Sequence, residues 1–131
     1  MATLDQRRAA LAFTHVSDLA SPDKKATAKQ YASLAHKLPA LLTSAGLCQA
    51  LHFLQTRSDA GATLVKHLSE QLQRTEQRCT SDAALLKLVR EASLGPYLRL
   101  TEETLACAAW YRRMVQSVLK LEAADADDGT D

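Results

Sequence analysis

Hydrophobic residues recur at helical spacing along most of the chain, and the densest run lies between Tyr31 and Leu54. The apolar side chains of this run repeat three or four residues apart, which predicts helix. Pro39 lacks a backbone N–H and disfavours helical geometry at Leu38, so it either begins a new helix or kinks one. Gly46 can take the left-handed conformation that closes a helix. The pattern predicts three short helices at the centre of the core, with corners at Pro39 and Gly46.

The segment before this run predicts a first helix and the start of the second. Thr3 and Gln6 match a capping box, and the apolar spacing that follows predicts a helix ending near Leu19. Ser21 and Pro22 suit the N-cap and first position of the next helix. One edge of that second helix is polar and is expected to face solvent; it carries Lys25, Lys29, His36 and Lys37.

Three further helices are predicted after a polar connector at residues 56–59. The fifth has a polar face that carries His67, Glu70, Arg74 and Arg78. A short sixth helix is capped by Ser81 or Asp82, and the last and longest runs from about Pro96 to Leu121. The apolar content is mostly Ala and Leu, with no Ile and five Val, which favours helices over strands. The expected fold is all-α: one bundle of six to seven helices over residues 1–121, followed by an acidic, disordered tail at 122–131.

The net charge of +1 hides an uneven distribution. The tail holds five acids and no base, so residues 1–121 hold sixteen bases against ten acids, a charge of +6. A basic body is suited to bind phosphates, and an acidic tail can compete with nucleic acid for the same face. The alternative is that the charge only aids solubility.

Several classes of protein do not fit the sequence. No apolar run approaches the roughly 18 residues of a membrane span, and the N-terminus is too charged for a signal peptide, so a cytoplasmic protein is expected. The three cysteines are odd in number and far apart, which is typical of reduced thiols. The four glycines form no phosphate-binding loop.

Catalytic and metal-binding patterns are not found either. The four histidines lie on four different predicted helices, and none pairs in an HxxxH or HExxH arrangement. The doublet of Glu102 and Glu103 is expected to be solvated, since adjacent helical residues point about 100° apart. The sequence therefore predicts no enzyme, no metal site and no cofactor.

The pattern of basic residues favours binding to a nucleic-acid backbone. Lys and Arg are spaced along several helices, which suits salt-sensitive phosphate contacts, and few aromatic residues are left to stack on bases. Trp110 is expected to anchor the core or an interface. A helix-turn-helix reader of DNA is a weaker option, since the helix after Gly46 is apolar.

Three segments together resemble a known family: LDQRRAALAF at 4–13, YASLAHKLPALLTSAGLCQALHFL at 31–54 and YLRLTEETLACAAWYRRM at 97–114. Their order and separation, with the spacing of Thr101, Glu103, Trp110 and Arg113, are similar to those of the small, all-helical fifth subunit of the type III-B CRISPR effector, the Cmr complex. The resemblance extends to about Leu121.

The resemblance implies a non-catalytic subunit that acts in antiviral defence and is present in several copies. These copies would stack end to end beside the larger backbone subunits and line the channel that holds the guide and target RNA. The implied partners are therefore both RNAs, the backbone subunits and other copies of the chain, with no membrane. Since base pairing reads the sequence, such a subunit need contact only shape and phosphates.

Seven basic residues are the candidate phosphate ligands. Arg8, Lys37 and Arg113 lie in the matching segments and rank first, while Lys25, Lys29, Arg57 and Arg112 come next. The simpler interpretation of each is a solvated surface charge. Two other functions stay open: a structural spacer that contacts protein only, and a helical adaptor or DNA-binding protein outside CRISPR.

Overall fold

The structure, a computed structural model, describes residues 1–123. Within that range the chain forms six α-helices and one 3₁₀ turn and contains no strand. The helices are α1 (Leu4–Ser17), α2 (Lys25–Ala45), α3 (Leu47–Arg57), α4 (Asp59–Gln73), α5 (Asp82–Glu91) and α6 (Leu94–Ser117), and the 3₁₀ turn is Pro22–Lys24. The predicted all-α bundle of six to seven helices is confirmed. The predicted acidic tail lies, from residue 124 onward, outside the described residues.

The predicted corner at Pro39 is wrong, because α2 runs through Pro39 as one helix of 21 residues. A proline inside a helix removes one hydrogen bond and costs about 3 kcal/mol. The buried face of α2 offsets that cost: Tyr31, Leu34, Leu38 and Leu42 are all at most 2% exposed and lie in the central core. Burial of one such side chain stabilises by about 2 kcal/mol, so continuous packing outweighs one missing hydrogen bond.

The predicted corner at Gly46 is confirmed. Gly46 has a φ of +87° and separates α2 from α3, so it also occupies the N-cap position of α3 and offers no side chain to cap that helix. A residue from α6 supplies the missing acceptor: the backbone N–H of Cys48 donates to the hydroxyl oxygen of Tyr97 at 2.9 Å. The α2–α3 corner is thereby tied to the start of α6.

A second glycine sets the distance between α3 and α4. A Cβ placed on Gly61 would lie 2.1 Å from the carbonyl oxygen of Leu54, a backbone atom that cannot turn away. The two helices pack closely only because residue 61 has no side chain. The N-cap Ser58 holds the same region, since its hydroxyl oxygen accepts the N–H of Gly61 at 3.1 Å.

A network of polar aromatic side chains crosses the core and joins four helices. Tyr111 on α6 bonds to Nδ1 of His15 on α1 at 2.6 Å, and Tyr31 on α2 bonds to Nδ1 of His67 on α4 at 2.7 Å. The two imidazoles stack with their centroids 3.9 Å apart. Burial lowers the pKa of both histidines, that of His67 to about 3, so both are neutral at pH 7. The prediction that His67 lies on a polar outer face is therefore wrong.

Candidate nucleic-acid interface

The C-terminal half of α6 presents two arginines beside α2. Cys107, Tyr111 and Val115 are fully buried, and this register turns Arg112 and Arg113 outward. The two arginines line a cleft of about 410 Å³. The residues of this arginine cleft are Pro39, Ala109, Arg112, Arg113 and Gln116.

The charges of the arginine cleft are not neutralised within residues 1–123. Arg113 donates from Nη1 to the side-chain oxygen of Gln116 at 3.4 Å, and no carboxylate in that range pairs with Arg112 or Arg113. Both side chains are exposed. A guanidinium in this state presents a fork of N–H donors that matches two oxygens of one phosphate.

A second cleft lies at the start of α2, against the residues that follow α6. Lys25 and Lys29 line a cleft of about 260 Å³ with Pro22, Val118 and Leu121 among its walls. Neither lysine pairs with a carboxylate of the described residues. We call this the lysine cleft, and the two clefts together the α2–α6 seam.

The seam is long enough for several phosphates. Pro39 lies ten positions after Lys29 on α2, a distance of about 15 Å at a rise of 1.5 Å per residue. Phosphates of one strand recur roughly every 3.4 Å along a duplex axis. The four cations of the seam (Lys25, Lys29, Arg112 and Arg113) are therefore spaced to contact more than one phosphate of a strand that follows α2.

The middle of the seam differs from the prediction of a solvent-facing edge. His36 is half-buried, and its Nε2–H donates to the carbonyl oxygen of Leu121 at 3.0 Å, which attaches the end of the described chain to α2. Lys37, the next residue, is exposed.

Arg8 lies outside the seam, at the contact between α1 and α6. Its guanidinium donates to both carboxylate oxygens of Glu103, from Nη2 at 2.6 Å and from Nε at 2.8 Å. The side chains are 15% and 12% exposed, respectively, and the bonds to Glu103 raise the pKa of Arg8. The prediction that Glu103 is solvated is therefore wrong, and Arg8 is already neutralised by the fold. Its contact with RNA stays a prediction that this geometry does not favour.

Arg57 is half-buried at the C-terminal end of α3 and lines neither cleft. Sequence reasoning did not identify Gln116 or Pro39 as parts of an interface, although Gln116 lies one helical turn from Arg112 and Arg113, which is a detectable signal. Trp110 is half-buried against the core and donates from Nε1 to Asp5 at 2.9 Å.

Across positions 1–123, no group of three or more His, Cys, Asp or Glu side chains is arranged to hold a metal ion. No helix in the described part of the chain has the length and apolar character needed to cross a membrane.

Comparison with known proteins identifies the family. The family described as "CRISPR-associated protein (Cas_Cmr5)" matches residues 4–118. The protein named CRISPR system Cmr subunit Cmr5 from Thermus thermophilus is 36% identical over 121 residues, which cover 92% of this chain and 99% of that one. A crystal structure of a CRISPR-associated Cmr5 family protein from the same organism superposes with a TM-score of 0.77 at 35% identity, covering 91% of this chain and 99% of that chain. The chain therefore belongs to the Cmr5 family, whose members are subunits of the type III-B CRISPR effector.

Proposed function

We propose that the chain is a non-catalytic subunit of a cytoplasmic type III-B CRISPR ribonucleoprotein that contacts the backbone of the guide and target RNA through its α2–α6 seam. Antiviral defence would then be the role of the whole assembly. Family membership sets aside the alternative of an adaptor or DNA-binding protein outside CRISPR.

One observation carries the proposal: the seam gathers four cations that no carboxylate of residues 1–123 neutralises. Two arginines outside the seam, in contrast, pair with carboxylates of the described residues. Arg8 pairs with Glu103, and Arg78 pairs with Glu76 at 2.9 Å. An exposed and unpaired guanidinium gains more from a phosphate than one that must first leave a carboxylate.

The seam is suited to bind RNA by shape and charge and not by base sequence. Arginine and lysine side chains contact phosphates without reading bases, and no exposed aromatic ring lines either cleft. This fits an RNA-guided assembly, in which base pairing selects the target and the protein holds the backbone. Contacts from several copies along one RNA would add up, even where one copy binds weakly.

Protein contacts are the second candidate function, and exposed apolar side chains favour it. Leu94 is 71% exposed, Phe13 52% and Leu98 50%, which are large values for side chains of this type. A stacked arrangement of copies, or contact with the backbone subunits, would cover them. Under the spacer hypothesis, the chain makes these protein contacts and its seam does not contact RNA.

A charge variant in the assembled complex separates the two candidates. The change is Arg112→Gln with Arg113→Gln, and the measurement is the affinity of the complex for target RNA over a range of salt concentrations. Each lost phosphate contact lowers the slope of log K against log salt by about 0.7 to 0.9. We expect the slope to become shallower by about 1.5 per copy, with unchanged assembly by native mass spectrometry.

The matched control is Arg7→Gln with Arg99→Gln, which removes two exposed arginines outside the seam. A control complex that behaves as wild type, beside a seam variant with the smaller slope, supports the proposal. Equal slopes in all three complexes would favour the spacer hypothesis.

A further inference from the structure

The lysine cleft differs from the arginine cleft in the character of its walls. Three segments enclose it: the turn between α1 and α2, the first turns of α2, and the residues that follow α6. Among the described residues that line it, Ser21 is the one polar residue besides the two lysines. The other walls are apolar: Leu19, Ala20, Pro22, Ala28, Val118, Leu119 and Leu121. A ligand in this cleft therefore meets mainly apolar surface.

The wall formed by residues 118–121 is held in place by hydrogen bonds. After a positive φ of 57° at Lys120, the N–H of Leu121 donates to the carbonyl oxygen of Val115 at 3.1 Å. The carbonyl oxygen of Leu121 in turn accepts from Nε2 of His36 on α2 at 3.0 Å. The cleft is therefore preformed, and a ligand does not have to order this wall when it binds.

The two lysines place positive charge at the mouth of the cleft. Lys25 is exposed and Lys29 is half-buried, as expected where the stem of a lysine covers apolar surface and its ammonium group stays in water. No carboxylate of residues 1–123 pairs with either lysine. Asp18 and Asp23, the acids nearest to them in sequence, do not line the cleft. The arrangement suits a ligand that is anionic at one end and apolar at the other.

The size of the cleft narrows the choice of ligand. Its volume is about 260 Å³, which is below the roughly 300–1,000 Å³ of pockets that hold drug-sized molecules. The space suits one flat ring system and excludes a large cofactor. A nucleotide has the required order of parts, since its phosphate and its base extend from different ends of one ribose. Every base also has a flat face that gains from leaving water.

Continuity with the arginine cleft favours RNA over a protein segment as the occupant. Arg112 and Arg113 also have no carboxylate partner within residues 1–123. Their cleft includes Pro39, which lies about 15 Å along α2 from Lys29. The regularly spaced phosphates of one strand supply an anion at each cleft, whereas a protein segment would need an acidic side chain placed at each.

We propose that the lysine cleft holds one unstacked nucleotide of an RNA strand, with its base between the apolar walls and its phosphate at Lys25 and Lys29. The inference rests on the proposed function, because the strand that reaches the cleft is the one that follows the α2–α6 seam. It adds a base contact to the backbone contacts. One hydroxyl, that of Ser21, gives the described walls too few polar groups to distinguish four bases, so the contact tolerates any sequence.

The test is a nuclear magnetic resonance titration of the full chain, with ¹³C in the Leu and Val methyl groups and ¹⁵N in the arginine side chains. One ligand is a uridylate hexamer, and the other is the same ribose–phosphate hexamer without bases, which carries equal charge. A base in the cleft shifts the methyl signals of Val118 and Leu121 through its ring current. We expect these signals to move with the uridylate hexamer alone, and those of Arg112 and Arg113 to move with both. Removal of the bases should weaken binding by about three- to tenfold.

A variant that fills the cleft and keeps both lysines isolates the contribution of the base. Ala20→Leu enlarges an exposed side chain of the cleft wall, and Ala26→Leu is the matched control at an exposed position of α2 outside the cleft. Ala20→Leu should bind the two hexamers with equal affinity and keep the wild-type salt slope, since no phosphate contact is lost. Ala26→Leu should prefer the uridylate hexamer as wild type does. A preference that survives in Ala20→Leu, or is lost in both variants, would overturn the inference.

Two further ligands test the assignment to an RNA strand: uridine monophosphate and a short peptide of alternating aspartate and leucine. If either binds the cleft as tightly as the uridylate hexamer, the inference is wrong, because the cleft then belongs to a free nucleotide or to a protein segment. The titrations extend to millimolar ligand, so weak binding is also detected.

The two sets of signals separate this inference from the proposed function. Unmoved methyl signals, with arginine signals that move with both hexamers, would refute the nucleotide in the lysine cleft and leave the backbone contact standing. Moved methyl signals, with arginine signals that neither hexamer moves, would refute the backbone contact of the arginine cleft instead. If neither set moves, both proposals are wrong.

Discussion

The ion pair of Arg8 with Glu103 tests the distinction between basic residues that stabilise the fold and basic residues that stay exposed in the seam. Two hydrogen bonds of 2.6 and 2.8 Å join side chains that are only 15% and 12% exposed. Changing Arg8 to Gln leaves the Glu103 carboxylate almost buried without its partner. Breaking a buried pair in this way costs about 3 to 5 kcal/mol, and the slight exposure of this pair places the expected loss near the lower end, at about 3 kcal/mol.

The assay is urea unfolding at pH 7, followed by circular dichroism and extrapolated to zero urea. Arg7→Gln is the matched control, because Arg7 is exposed on the same helix and should change the free energy of unfolding by less than about 0.5 kcal/mol. The double variant Arg8→Leu with Glu103→Leu removes both charges and should recover much of the loss.

Equal free energies of unfolding for the Arg8 and Arg7 variants would refute the reasoning, since they would mean that the ion pair does not stabilise the fold. A double variant no more stable than Arg8→Gln would refute the part that attributes the loss to an unpaired carboxylate. The reasoning also predicts that Arg8→Gln, where the complex still assembles, keeps the wild-type salt slope of RNA binding, unlike changes in the seam.

Three further predictions concern the fold. Gly61→Ala should destabilise by about 3 kcal/mol, because the new Cβ meets the carbonyl of Leu54, whereas alanine in an open helix would stabilise by about 1 kcal/mol; urea unfolding decides the sign. Tyr97→Phe should cost about 1 kcal/mol and raise amide exchange at Cys48, whose N–H loses its acceptor; unchanged exchange would contradict this. Burial holds the pKa of His67 at about 3 in the folded state. Below about pH 6.5 the unfolded chain therefore binds a proton that the folded chain does not. The free energy of unfolding consequently decreases as the pH is lowered. His67→Gln should remove about 1.6 kcal/mol of the loss between pH 6.5 and pH 5; equal losses would contradict the burial argument.

Features that depend on residues close together in the sequence, such as helix caps and helix ends, were predicted correctly. The capping box at Thr3 and Gln6 is present, with bonds of 3.1 and 2.7 Å, and Ser81 caps α5 as expected. Gly46 ends α2 because few other residues take a positive φ readily. The prediction at Pro39 was wrong because the tertiary packing of α2 outweighs the local preference of proline against a helix interior, and this packing depends on the whole fold.

The errors at Glu103 and His67 have a common physical cause. Both residues fall on the buried stripe of their helices, one turn from Cys107 and Leu64 respectively, so the periodicity contained the signal. Their polar type suggested solvent instead. Burial became acceptable only through partners on other helices, Arg8 for the carboxylate and Tyr31 for the imidazole, and a single sequence does not show such pairs.

The candidate interface was predictable in composition but not in arrangement. Arg112 and Arg113 stood out as an exposed basic pair, and the lysines of the second helix as a basic edge. That α2 and α6 lie side by side, and so join these residues into one seam, follows from tertiary packing. The same packing explains why Arg8 and Arg57 lie elsewhere, since α1 and α3 contribute no residue to the arginine cleft.

An experimental structure of the assembled complex with guide and target RNA tests the central claim most directly. The account predicts that the guanidinium of Arg112 or Arg113 lies within hydrogen-bond distance, about 3 Å, of a phosphate oxygen, with the RNA strand following the α2–α6 seam. A seam that faces another protein subunit, with no phosphate near either arginine, would contradict it.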